Sequence, residues 1–380
     1  MSKINIRDFF NENEDGAPDL VGITTFSATS YFVPTRGTTA QRPSEHVEVG
    51  SLRYNYDIKN LEYYRGHTLG WSQFELINPD LGGGDGSNEG LGGRAVRAGG
   101  QTPSHTNVID YFTISTLGDA QDFGDLSVSR FGIGAGASRT RGVFMGGAQP
   151  SRRNDIDFIT IPSTGDALDF GDLLGSNAST GGSSSTRAFI MGGSTPATTN
   201  IIQYVTIAST GDAQDFGDVS TSGLESFRIT TSSTRGVTAG GYVAPTFTNV
   251  MEYITIASTG NSQDFGDFSR YVYAPAHSGN SVRGIIAGGY TPSAQSDIDY
   301  YTIATLGNTV DFGGDLATAS GSAMGGASDP TRACFFGLTT NSNVIQYIQI
   351  ASTGIDGSDF GDLTGVCTNI GDLSNTHGGL

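Results

Sequence analysis

The chain has 380 residues, a formal net charge of −18 and a pI near 4.4. Phosphate groups and anionic lipid surfaces recruit clustered Lys and Arg, so this balance predicts no nucleic-acid partner and no pull toward an acidic membrane surface. Two cysteines, Cys334 and Cys367, exclude a disulfide framework and a thiolate zinc site, and no apolar run approaches the ~18 residues of a membrane span.

Residues 1–80 do not repeat. They open on MSKINIRDFFNENEDGAPD, which lacks the apolar core of a signal peptide. LRYNYD (52–57) and LEYYRG (61–66) alternate in polarity on either side of DIKN (57–60), which predicts a β-hairpin. Trp71, the only tryptophan, is expected to cap a small core. The order TTAQRP (38–43), GSLRYN (50–55), LEYYRG (61–66) and Trp71 resembles a module of bacteriophage tail-fibre and other virion structural proteins. HTL (67–69) lengthens the last turn relative to that pattern. The resemblance implies attachment to a virus particle. LGGGDGSNEGLGG (81–93) then reads as a flexible linker.

From residue 94 the chain repeats. RAVRAGG (94–100) recurs as RGVFMGG (141–147), RAFIMGG (187–193), RGVTAGG (235–241), RGIIAGG (283–289) and, decayed, RACFFGL (332–338). The leading arginines are 47, 46, 48, 48 and 49 residues apart. Each copy is followed by a segment such as MEYITIASTG (251–260) and then by one such as QDFGDL (121–126). Alternation of Ile with Thr predicts half-buried strands, STG and GG predict turns, and Asp on both sides of FG predicts a polar outer edge strand. Segments such as SVSRFGIGAGASRT (127–140) are rich in small residues and fit an innermost strand near an axis. Four short strands in ~48 residues is the length of one propeller blade. The first copy lacks a preceding small-residue strand, and TGVCTNIGDLSNTHGGL (364–380) supplies one, which predicts that this last segment closes the first blade.

The GG doublet and the tyrosine after it (Tyr111, Tyr204, Tyr253, Tyr300, Tyr347, with Phe158 in one copy) resemble kelch repeats. Phe123, Phe170, Phe216, Phe265, Phe312 and Phe360 stand where kelch repeats carry Trp. The resemblance implies an all-β fold, a six-bladed kelch-like β-propeller closed by the C-terminal strand and preceded by a small β-rich module. The expected domains are 1–80 for virion attachment, 81–93 as linker and 91–380 as propeller.

A residue present in every copy is expected to build scaffold. Arg94, Arg141, Arg187, Arg235, Arg283 and Arg332 are therefore read as structural, each pairing with a DFGD carboxylate. The DFGD aspartates have oxygen chemistry suited to Ca²⁺, but their spacing is neither EF-hand nor nonapeptide, and Asp beside Gly commonly caps turns. No metal or cofactor is expected. An asymmetric ligand should meet positions where one copy departs from the rest. The fifth copy departs most, at Tyr271, Tyr273 and His277 within FSRYVYAPAH (268–277), and the segments after GG add Tyr242, Phe247, Tyr290 and the pair Arg152/Arg153. Exposed aromatics stack on sugar rings, so these are the candidate ligand-binding residues; packing within the fold is the alternative.

No nucleophile, paired-carboxylate or metal motif stands out, so no enzyme is expected. The resemblances imply a virion protein, a tail fibre or tail-associated adhesin that contacts other tail proteins and a host-surface glycan, without membrane insertion and as a homo-oligomer. A purely architectural tail or head-tail component is the second reading, and a carbohydrate-active enzyme the third.

Overall fold

A computed structural model describes residues 34–43, 47–73, 93–101, 103–195, 197–321, 324–337 and 342–380. Those residues form strands and turns with one short 3-10 turn, Thr39–Gln41, so the fold is all-β. Among them no helix is long and apolar enough to cross a membrane. The chain divides into two compact units, Met1–Asn78 and Pro79–Leu380. The expected linker lies outside the described residues except for Gly93.

The first unit is one sheet in the order Thr35–Gly37, Leu52–Asn55, Asn60–Tyr64 and Trp71–Gln73. The hairpin forms as the alternation predicts, with Arg53 opposite Glu62 and Tyr54 opposite Leu61. Its faces are inverted. Arg53, Asn55 and Glu62 are buried, whereas Leu52 and Leu61 are 49% and 39% exposed. Glu62 accepts hydrogen bonds from Arg42 Nε at 3.0 Å, Arg53 Nη1 at 3.0 Å and Asn55 Nδ2 at 3.1 Å. Burial alone would raise its carboxyl. The bonds from Arg42 and Asn55 and the two guanidinium charges outweigh burial and hold it below the usual carboxylate range. Trp71 stands 5.3 Å from the buried Tyr64 ring and 5.7 Å from the Arg53 guanidinium, so the core it caps is partly aromatic and partly polar.

In the second unit each repeat supplies antiparallel strands in one order. In the fourth it runs Arg228–Thr231, Arg235–Ala239, Val250–Thr255 and Gln263–Asp267, with the small-residue strand first and the DFGD strand at the far edge. The fifth and sixth repeats follow the same order. The second and third merge into one nine-stranded sheet, because the strand Leu168–Ser183 pairs with Ser151–Thr160 through its first part and with Arg187–Thr195 through its second. In the first repeat, Arg94–Ala98 pairs with Gly371–Ser374, placing Leu373 opposite Val96. The expected pairing of the last segment with the first repeat is thus present.

Neighbouring repeats are joined by the same bonds each time, from the head of one second strand to the end of the next repeat's third strand. Arg94 Nη1 donates to the Ile161 carbonyl at 2.6 Å, Arg141 to Ile207 at 2.9 Å, Arg187 to Ile256 at 2.8 Å, Arg235 to Ile303 at 3.0 Å, and Arg283 to Ile350 at 2.7 Å. Arg332 of the sixth repeat donates to Ile114 of the first at 2.9 Å. These arginines therefore bond to carbonyls and not, contrary to the expectation from sequence, to DFGD carboxylates. Each guanidinium lies over the ring of its own repeat, 4.4 Å from Tyr300 in the case of Arg283, and that stacking aims it at the next repeat's strand end. The carboxylates that do join repeats follow the STG turn: Asp166 Oδ1 accepts from the Asp125 N–H at 3.0 Å, and Asp119 Oδ1 from the Asp362 N–H at 3.1 Å.

The glycine of DFGD is required at this seam. Gly124 sits at φ +145°, and a Cβ there would lie 2.5 Å from the Gly165 carbonyl group. The contact is that close because the Gly165 N–H donates to the Phe123 carbonyl at 2.7 Å. Phe123 itself is buried and edge-on to Tyr111 at 5.7 Å. The apolar core fills the spaces between repeats, as where Val96, Ile109 and Phe123 pack with Phe144 and Ile159.

Candidate functional site

The first strands of the six repeats lie in sequence against one another, and Gly325–Ser328 touches Gly371–Ser374, which touches Gly134–Ala137. All six line a narrow axial cavity of about 60 Å³. Close approach explains their small residues: a Cβ on Gly326 would meet the His277 carbonyl at 2.0 Å. Hydroxyls bridge the strands, as where Ser183 Oγ donates to the Ala137 carbonyl at 3.0 Å.

His277 lies in this cavity, 4% exposed. It is therefore apart from the aromatic residues with which the sequence grouped it. Burial, assisted by the Arg228 charge, pushes its pKa down to about 3, and its Nε2 has no hydrogen-bond partner among the described residues. Asp372, facing the same cavity, accepts from the Gly326 N–H at 3.1 Å. Burial lifts its pKa to about 6 against the opposing pull of Arg228 and that N–H.

Residues 375–380 fill one end of the axis. His377 Nε2 donates to the Ala137 carbonyl at 3.0 Å, and Nδ1 accepts from the Gly379 N–H at 3.0 Å. Burial depresses this imidazole to about 4.

At the opposite end of these strands lies a second cavity of about 380 Å³. Here a short bridge joins the segment before a first strand to the residue after GG. Glu225 and Tyr242 exchange backbone bonds of 3.0 and 2.8 Å, and Tyr273 and Tyr290 exchange two of 3.0 Å. The same bridge joins Phe131 to Ala148 and Gln101 to Thr368, so the device is general and only the side chains on it differ. Tyr242 also pairs with Phe247 across a two-residue ribbon.

Four of the six predicted aromatic and histidine positions therefore meet. Tyr242 lies 6.0 Å from Phe247 and 6.3 Å from Tyr273, and Phe247 lies 6.0 Å from Tyr273 and 6.2 Å from Tyr290. Tyr271 makes no ring contact with them among the described residues and is 61% exposed. Tyr273 belongs both to this cluster and to the cavity wall, together with Arg152, Glu225 and Arg228. Arg152 is held by Ser194, with Nη2 donating to Oγ at 2.7 Å. Burial raises the Glu225 carboxyl above its ordinary value, and the Arg152 charge opposes that rise.

Four further lining residues hold left-handed backbone: Gly132, Ser226, Ala274 and Asn369, at φ +65°, +57°, +46° and +55°. Three of them are not glycine, and such strain persists where surrounding structure imposes it, commonly at functional sites. The sequence reading missed Glu225 and Arg228. The signal for Arg228 lay in the small-residue strand, where the other five repeats carry Gly371, Gly134, Thr180, Ala276 and Gly325 at the equivalent position.

Among the described residues, no group of three or more His, Cys, Asp or Glu side chains is placed to hold a metal ion. Comparison with known protein families finds no match, and neither does comparison with curated proteins.

Proposed function

We propose that the second unit is a six-bladed, kelch-like β-propeller that binds a host-surface glycan, carried by a bacteriophage tail fibre or tail-associated adhesin. The propeller reading rests on six copies of one strand order, on Leu373 facing Val96, and on Arg332 repeating toward Ile114 the bond the other five arginines make. The observation that carries the binding reading is the meeting of Tyr242, Phe247, Tyr273 and Tyr290, with Tyr273 also in the wall of a cavity. Tyr242 and Tyr290 follow the GG doublet only in the fourth and fifth repeats, and no other repeat carries the phenylalanine of Phe247 or the tyrosine of Tyr273 at the equivalent position. Aromatic faces match the apolar faces of sugar rings, and a shaped cavity with a few polar groups is the usual form of a small-molecule site. The role is binding rather than catalysis.

The second reading, an architectural tail or head-tail component, draws on the first unit. Its hairpin turns Leu52 and Leu61 outward and keeps Arg53 and Glu62 within, as a docking module would. The two readings separate in particles carrying Tyr242→Ala and Tyr273→Ala together. The adhesin reading expects normal incorporation with adsorption to host cells reduced at least tenfold. Normal adsorption by fully assembled particles would remove this site, and reduced incorporation would favour the architectural reading.

A further inference from the structure

Arg228 is unlike every other described arginine. Arg42, Arg53, Arg97, Arg130, Arg153 and Arg270 are paired with carboxylates. The six repeated arginines bond to carbonyls, and Arg152 is held by Ser194. Arg36, Arg65 and Arg139 are exposed to solvent. Arg228 alone is partly buried with no hydrogen-bond or ion-pair partner among the described residues. Asp372 feels its charge from deeper in the axis, but is bonded to the Gly326 N–H and not to the guanidinium.

A half-desolvated guanidinium without an acceptor is costly, and its planar fork matches a carboxylate in a two-bond geometry. The cavity that Arg228 lines together with Tyr273 gives such an acceptor a place to sit. The volume, about 380 Å³, falls in the ~300–1,000 Å³ range of small-ligand sites. The formal net charge of −18 opposes the approach of a dense polyanion, so the charge that Arg228 meets is a single local one.

We infer that the cavity takes one acidic sugar residue, a pyranose carrying a carboxylate, with the ring on Tyr273 and the carboxylate on Arg228. Glu225, across the cavity, accepts from ring hydroxyls, and Arg152 supplies a second positive charge at the wall. A neutral sugar fills the same volume but leaves Arg228 unanswered. This deepens the glycan-binding reading and rests on it for the source of the sugar alone.

The test uses the full chain, with methyl glucuronide and methyl glucoside as probes, followed by calorimetry or ligand-observed NMR. The glucuronide should bind at least tenfold more tightly than the glucoside, and added salt should weaken only the glucuronide. Arg228→Gln should abolish the preference and Arg228→Lys should keep part of it. Tyr273→Ala should weaken both probes, which keeps the inference testable if an Arg228 variant fails to fold. Equal binding of the two probes, no binding of either, or a preference that survives Arg228→Gln in a folded protein overturns the assignment. Arg228-dependent glucuronide binding together with normal adsorption of Arg228→Gln particles upholds the sugar site and defeats the host-attachment role. Failure of both probes beside loss of adsorption in the Tyr242→Ala, Tyr273→Ala particles does the reverse.

Discussion

The outer seam and the axis of the second unit obey opposite rules. At the seam all six repeats do the same thing: a stacked arginine reaches the next strand end and a glycine admits the next turn. At the axis they share only small size, and within that limit they diverge, so Asp372, His277 and Arg228 occur once each. Repetition supplies stability where every interface needs it. Individuality is confined to places where one repeat can change without disturbing its neighbours' seams.

The sharpest way to break this contrast is to remove residues 364–380. The deletion takes the first strand from the Arg94–Ala98 sheet and His377 from the axis, leaving a sheet edge unpaired. A loss of several kcal/mol and aggregation on heating are expected, read by thermal melting. An unchanged melting temperature would mean the ring of contacts does not depend on its last member.

A smaller effect should come from single seam arginines. Replacing Arg141 or Arg283 by Ala removes a charged bond to a carbonyl and a stacked ring contact, about 2 kcal/mol each. If the seam is uniform, the two variants should agree within about 0.5 kcal/mol in chemical denaturation. A wide spread would assign the repeats unequal seams.

The most gradual effect, spread over several pH units, concerns acid. His277 and His377 have folded pKa values of about 3 and 4, below the unfolded value of ~6.5. The unfolded chain therefore takes up protons first, and stability held by each imidazole is lost as pH falls below ~6.5. Asp372, raised to about 6, acts in the opposite sense between that value and its unfolded one. The advantage of wild type over His377→Gln should thus shrink on going from pH 7 to pH 4, by at most ~1.4 kcal/mol per pH unit. A constant difference across that range would place His377 in solvent.

Much of this was legible in the sequence because the repeat is a local message. Small residues before RGV marked the first strand, DFGD marked the edge, and the segment 364–380 marked its partner. The gathering of Tyr242, Phe247, Tyr273 and Tyr290 followed from asking where copies differ. What was not legible were choices between equivalent acceptors. A guanidinium near both carboxylates and carbonyls bonds to whichever its stacked ring aims at, and spacing does not encode that aim. His277 sits close to Tyr273 in sequence, but it belongs to the first strand Ala276–Gly279, which lines the narrow cavity, whereas Tyr273 precedes that strand. Inversion of the first hairpin was hidden for a related reason: the alternation of Leu52 to Asn55 reads the same whichever face is covered.

The strand Arg94–Ala98 is bonded on one side to Gly371–Ser374 and on the other to Val108–Thr113. The first described strand of this unit is therefore an interior one. A pull on the chain ahead of Arg94 runs along that strand and loads both rows of backbone bonds in shear, so they must rupture together rather than peel one after another. Entry by an edge strand such as Gln121–Asp125 would have offered a single row. The strand at which a pull on the preceding chain arrives is thus gripped on both sides.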